Sequence, residues 1–119
     1  MIDIGGGSTE ITFGKGNQIL FNKSFNAGVV SGTESYLVDD PPAKFQINEY
    51  NSHIENTFKE FSNTNNFEPD EVIAIAGTPT TLACIQQKLT EYNEEKIEGS
   101  ILIKNDVKLL IDELSTMSS

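Results

Sequence analysis

The sequence has little with which to hold a polyanion by charge or to cross-link itself. Eight basic residues stand against eighteen acidic ones, a net charge of −10. A free-standing binder of nucleic acid or polyphosphate is normally basic, because phosphate contacts dominate its affinity. The acidity argues against diffuse polyanion binding and against nucleic acid as a partner. It leaves open one local phosphate site built from backbone N–H groups and a metal ion. The single cysteine, Cys84, permits no internal disulfide and fits a reducing, cytoplasmic setting. Within the apolar run Leu82-Ala83-Cys84-Ile85 it reads as a small buried hydrophobe. The one histidine, His53, has no second His or Cys at metal-ligand spacing, so it reads as a surface or internally satisfied residue. No stretch approaches the ~18 apolar residues of a membrane span, and no secretory signal is visible. No membrane partner is expected.

What is present suits one α/β domain over residues 1–119. Apolar content is 37% and charged content 22%, so wholesale disorder is not expected. Met1 to Ile4 reads as a short strand. Gly5-Gly6-Gly7 is a turn whose glycines permit φ > 0 and close approach of a ligand. Ser8 to Phe13 alternates, with Thr9, Ile11 and Phe13 on one side, and reads as the return strand. After a second turn at Gly14 to Asn17, Ile19, Phe21 and Phe25 mark a third strand, completing a three-stranded antiparallel meander. Gly28 to Leu37 is a short helix or loop, and Pro41-Pro42 punctuates the chain beyond it. Tyr50, Ile54, Thr57, Phe58 and Phe61 predict an amphipathic helix over about 47–62, with Phe58 and Phe61 in the core, and then a loop over 62–67.

Val72 to Ala76 is a continuous apolar run that suits a strand buried on both faces. Gly77-Thr78-Pro79 leads into a helix over 80–87, with Pro79 near its start. The acidic stretch over 92–99 reads as a connector, with Glu91, Glu94 and Glu95 solvated. A short extended piece over 101–103 precedes a helix over 105–115 capped by Asn105, with Val107, Leu110, Ile111 and Leu114 apolar. A strand that opens at the first residue leads us to expect that the chain is a domain of a longer protein.

The chemistry concentrates in Asp3 to Glu10. A tight turn of small residues points successive N–H groups into one concavity, which suits phosphate oxygens. Gly5, Gly6, Gly7, Ser8 and Thr9 are the candidate phosphate-binding residues, with the Ser8 and Thr9 hydroxyls as added donors. A carboxylate at the base of the turn repels phosphate but binds it through Mg²⁺, so Asp3 is the candidate metal residue. Glu10, on the return strand, is a candidate to help hold metal or to act as a base on water. The competing reading is a plain glycine hairpin.

A second glycine turn, Ala76-Gly77-Thr78-Pro79-Thr80, joins a strand to a helix N-terminus, where anions are favoured. Gly77, Thr78 and Thr80 are candidate phosphate ligands there. The competing reading is that Thr78 or Thr80 only caps the helix. Together the two turns suggest two walls of one cleft.

These two motifs resemble those of the exopolyphosphatase/guanosine pentaphosphate phosphohydrolase (Ppx/GppA) family. Asp3 to Glu10 matches its Asp-Ile-Gly-Gly-Gly-Ser-Thr-Glu loop without a change. Gly77 to Ala83 matches its Gly-Thr-x-Thr-Thr-Leu-Ala turn. The stretch from Gly28 to Glu34 is similar to its Gly-Val-Val-Arg-Leu-Thr-Glu, with Ser31 where the family has Arg, and Glu98 stands where its tail motif has His. The resemblance implies a ribonuclease-H-like half-domain of the actin/sugar-kinase/Hsp70 superfamily, namely the second of two lobes that enclose a cleft. It implies hydrolysis of terminal phosphoanhydrides of polyphosphate or pppGpp, with Mg²⁺ or another divalent cation at Asp3, Glu10 assisting, and homodimers in full-length proteins. The first lobe, with its own phosphate loop and glutamate, is missing, so the chain alone is expected to be inactive. Two other functions remain open: a phosphate-sensing module without turnover, and an ATP-dependent kinase of the same superfamily.

Overall fold

A computed structural model describes residues 1–64 and 68–118. The meander expected over the first 25 residues is present. Strands β1 (Ile2–Ile4), β2 (Thr9–Lys15) and β3 (Gln18–Phe25) pair antiparallel in sequence order. At the β2–β3 turn Gly16 takes φ 59°, the left-handed value required at the first central position of a tight hairpin. Strand β4 (Ala74–Ile75) joins β1 in parallel, which gives a mixed sheet of order β3-β2-β1-β4.

Period-2 alternation sorts this sheet into two chemically different faces. One carries Ile2, Ile4, Thr9, Ile11, Phe13, Phe21 and Phe25, with Lys23 opposite Ile11. The other carries Asp3, Glu10, Thr12, Asn22 and Ser24. Helix α2 (Lys44–Thr64) covers the apolar face. Its Phe58 ring lies 4.9 Å from that of Phe25, and its Phe61 ring 5.6–5.9 Å from Phe21, Phe13 and Phe25. Aromatic pairs of this kind add about 0.5–1.5 kcal/mol beyond the area they bury.

Helix α2 is longer at both ends than its apolar stripe indicates. Gln46 explains the early start: its Oε1 accepts the Ala43 N–H at 2.9 Å, and its Nε2 donates to Asp39 Oδ2 at 3.0 Å. This is one half of a capping box, made by a buried glutamine. At the other end the helix continues through Ser62 to Thr64, where a loop was expected; the rest of that loop, 65–67, lies outside the described residues.

Helix α1 (Val29–Ser35) resolves the helix-or-loop choice for that stretch. Helix α3 (Gly77–Gln86) follows β4 and begins at the glycine, so Pro79 is its third residue. The acidic connector contains one helical turn, α4 (Glu94–Ile97), capped by the Asn93 side chain and anchored by buried Ile97. The extended piece over 101–103 pairs with no strand of the described sheet. Helix α5 (Lys104–Leu114) starts one residue before Asn105, so Asn105 is not its cap; Ile103 holds that position without a side-chain bond. Of the apolar residues expected to anchor α5, Leu110 is buried but Ile111 is 57% exposed.

The largest departure from expectation is β4. Val72, Ile73 and Ile75 are 59%, 55% and 38% exposed, and only two residues pair as strand. A continuous apolar run becomes a doubly buried strand only where layers cover both faces and neighbours flank both edges. Among the described residues β4 has β1 on one edge and no strand on the other. Cys84, on α3, is likewise half-buried rather than buried.

Candidate functional site

The glycine turn is a hairpin closed by the Gly5 N–H donating to Ser8 O at 2.9 Å. The register places Asp3 opposite Glu10 and Ile4 opposite Thr9. Directly opposed residues share a face, with Cβ atoms about 4.5–5.5 Å apart. Asp3 and Glu10 therefore stand side by side on the polar face, and Ser24 extends their row on β3.

Neither hydroxyl of the loop is aimed outward as a phosphate donor. Thr9 belongs to the core face; it is buried and its Oγ1 donates to Ala27 O at 2.6 Å. Ser8 Oγ donates to Glu10 Oε1 at 2.7 Å. The outward donors are main-chain groups. The carbonyls of Gly5 and Gly6 turn toward α1, where they accept from the N–H groups of Val29 (3.1 Å), Val30 (2.9 Å) and Ser31 (3.1 Å). Among the described residues no main-chain or side-chain acceptor takes the N–H groups of Gly6, Gly7 or Ser8. Consecutive unpaired N–H groups in a turn are the donor type from which anion nests are built.

The glycines serve close approach rather than left-handed backbone, since none of Gly5, Gly6 or Gly7 has positive φ. A Cβ on Gly6 would sit 3.2 Å from Val30 Cγ2, while one on Gly7 would meet open space. Gly28, just before α1, lies so close to the Gly6–Gly7 backbone that it has no room for a Cβ.

The second turn leaves the sheet beside the first. Strand β4 runs parallel to β1 with Asp3 opposite Ile75, so both strands end at the same edge of the sheet. Ala76 follows, with φ 78° and ψ −172°. A non-glycine residue in this region costs about 1–3 kcal/mol, and such strain concentrates at ligand sites. Helix α3 has no side-chain cap. Thr80 Oγ1 donates to the carbonyls of Ala76 (3.1 Å) and Gly77 (2.9 Å), so neither threonine caps an N–H. As the first two residues of α3, Gly77 and Thr78 have N–H groups beyond the reach of the helix's own carbonyls, and Pro79 has none. Two main-chain donors are therefore left without an intrahelical acceptor here as well.

The titration of Glu10 is displaced. The Ser8 hydroxyl first, and the Ser24 hydroxyl at 3.0 Å second, hold its carboxyl below the usual carboxylate range. Both bonds fall on Oε1. A carboxylate held ionised in this way suits cation binding or water orientation better than proton abstraction, which favours a raised pKa. Asp3 and Glu10 form a pair; among the described residues no group of three or more His, Cys, Asp or Glu is placed to hold a metal. Two adjacent carboxylates fit Mg²⁺ in its usual mode, in which one or two carboxylates and substrate phosphates are completed by water. They do not form an all-protein cage. Every basic residue of the chain is a lysine, and Ser31 turns its Oγ back toward Gly28 O at 3.3 Å, so no guanidinium fork is available here.

Several contacts that shape the site were not legible in the sequence. Ser24 is fixed only by the β2–β3 register. Tyr50 donates its hydroxyl to Gly28 O at 3.1 Å. His53 is internally satisfied, as expected: its Nε2 lies 3.2 Å from Asn26 O and its ring stacks 5.1 Å from that of Tyr36. A motif reading has no access to these contacts, which span 22 and 27 residues.

Comparison with known proteins is consistent with this geometry. The Ppx/GppA phosphatase family profile matches residues 1–119. Exopolyphosphatase 2 of Mycobacterium tuberculosis is 31% identical over 101 residues, which cover 84% of this chain and 31% of that protein. A bifunctional 3-dehydroquinate synthase/phosphatase of Fusobacterium nucleatum is 32% identical over 117 residues, covering 90% of this chain and 16% of that protein. The solved structure of the Ppx/GppA enzyme of Aquifex aeolicus superposes with a TM-score of 0.87 at 28% identity, over 98% of this chain and 38% of that one. The chain thus spans between 16% and 38% of the length of these relatives. With its whole length matched and its α/β half-domain reproduced in their structures, the chain belongs to the Ppx/GppA phosphatase family.

Proposed function

We propose that this chain forms one phosphate-holding wall of a phosphoanhydride hydrolase that releases orthophosphate from the end of inorganic polyphosphate or a pppGpp-like nucleotide. The observation that carries this reading is the nest of Gly6, Gly7 and Ser8 N–H groups. It stands beside the uncapped N–H groups of Gly77 and Thr78, with the Asp3–Glu10 pair at its base. Main-chain donors read no sequence or base; they recognise anionic oxygens, and two adjoining sets suit consecutive phosphates of a chain.

In this reading the Gly5–Gly7 hairpin and the α3 N-terminus orient the substrate and offset its negative charge. Phosphoryl transfer depends on positioning and charge stabilisation. Asp3 would hold Mg²⁺ or another divalent cation, with Glu10 opposite; the ion, when bound, would neutralise phosphate oxygens and polarise the terminal phosphoryl group. Glu10, kept ionised by Ser8 and Ser24, would orient water at that group. The remaining wall comes from a first lobe of a longer polypeptide, as the coverage of the relatives supports, and the isolated chain does not turn over.

An orthophosphate-release assay with tripolyphosphate and Mg²⁺ tests this. Release by the two-lobed protein and none by the 119-residue chain is the expected result. Phosphate transfer to an acceptor, or binding without release in the two-lobed protein, would overturn the hydrolase reading.

A further inference from the structure

We propose that Tyr50 and His53, on α2, are positioning residues for the glycine hairpin, acting through α1. The proposal rests on the phosphate-binding reading of that hairpin, but its first test does not depend on it.

One chain of contacts links the two side chains to the hairpin. Tyr50 Oη donates to Gly28 O at 3.1 Å, and His53 Nε2 donates to Asn26 O at 3.2 Å. Two side chains one helical turn apart thus hold the carbonyls on either side of Ala27, whose own carbonyl takes the Thr9 hydroxyl. The Asn26–Gly28 segment is thereby held on three successive carbonyls, and it leads directly into α1. The first three amides of α1 then hold the carbonyls of Gly5 and Gly6. Within a peptide plane the carbonyl and the following N–H point in opposite directions. Fixing the Gly5 and Gly6 carbonyls toward α1 therefore aims the Gly6 and Gly7 N–H groups away from it, toward the nest.

Packing alone does not set this arrangement. A cavity of about 170 Å³ lies beside Tyr50 and His53 against α1, lined in part by Ser31, Gly32 and Ser35. The Tyr50 ring does meet α1 at Gly32, where it leaves no room for a Cβ. The polar bonds thus fix the position of α1 where contact is incomplete. Burial first, and the neighbouring Tyr36 second, raise the Tyr50 phenol above its ordinary value, so it remains a donor at neutral pH. Tyr36 stacks on both rings, at 5.4 Å from Tyr50 and 5.1 Å from His53, and keeps the two donors in place.

The test uses Tyr50→Phe, which keeps the ring stack and removes only the hydroxyl. A second variant, His53→Leu, removes the other donor, and His53→Gln restores one. Amide hydrogen exchange of the 119-residue chain without ligand is the first readout. Val29, Val30 and Ser31 should exchange about 2- to 10-fold faster in Tyr50→Phe and His53→Leu, the range set by one lost hydrogen bond. Amides of α5 should be unchanged, and His53→Gln should return to the wild-type rate. Rates within experimental error of wild type at 29–31 in both loss variants, or equal acceleration throughout the chain, would overturn the proposal. The second readout is tripolyphosphate affinity, expected to weaken by a similar factor in Tyr50→Phe. If wild-type protein binds no tripolyphosphate, the phosphate reading fails, and the exchange data still decide the positioning role.

Discussion

Asp3 and Glu10 face each other directly across the β1–β2 ladder. Two like charges opposed on a sheet destabilise it. Asp3→Asn is therefore expected to leave the ligand-free fold unchanged or more stable, by up to about 1 kcal/mol, in a urea melt. The same change should remove most of any Mg²⁺ dependence of tripolyphosphate binding. A clear loss of stability would mean that the carboxylate serves the fold.

Glu10 makes a pH prediction with a definite sign. Its folded-state pKa is depressed, by Ser8 most and by Ser24 next. Its contribution to stability is therefore complete above the ordinary glutamate value of about 4.3 and is lost as pH falls through the lower, folded value. Carboxyl titration followed by NMR should show Glu10 moving up toward the ordinary value in Ser8→Ala, and by less in Ser24→Ala. Coincident titration curves would remove the hydroxyl explanation.

Gly28 tests the packing under the hairpin. A methyl group there overlaps the Gly6–Gly7 backbone. Overpacking of this kind costs about 1–3 kcal/mol, and Gly28→Ala should show that loss in chemical denaturation. Gly7→Ala meets only open space and should be nearly neutral for stability. Similar losses in both would contradict the assigned contacts.

Phe25 ties the sheet to α2. It is buried and meets Phe58 and Phe61. Phe25→Ala is expected to cost about 3–5 kcal/mol, a large share of the about 5–15 kcal/mol that holds an ordinary domain folded. A circular-dichroism melt checks it.

The sequence made the hairpin and its acids legible because alternation and glycine punctuation are local. Alternation also carried a warning about Thr9: grouping it with Ile11 and Phe13 already put its hydroxyl on the core side, and the structure bonds it to Ala27 O. Other features were not local. The grip of α1 on the Gly5 and Gly6 carbonyls joins segments 24 residues apart in sequence, between Gly5 and Val29. The Gln46 cap looks like any helical glutamine until its backbone partner is known. The exposure of β4 has a different origin. An apolar run records that a strand has apolar surroundings somewhere, and here Val72 and Ile73 stay more than half exposed, with β1 on one edge of β4 and no strand on the other among the described residues.

The central claim is that main-chain N–H groups of the two adjoining turns hold phosphate. Amide chemical-shift mapping of the 119-residue chain, titrated with tripolyphosphate in the presence of Mg²⁺, tests it most directly. The largest shifts are predicted at Gly6, Gly7 and Ser8, followed by Gly77 and Thr78. Saturable shifts confined to lysine-bearing surfaces, or no shifts at the hairpin at millimolar ligand, would contradict it.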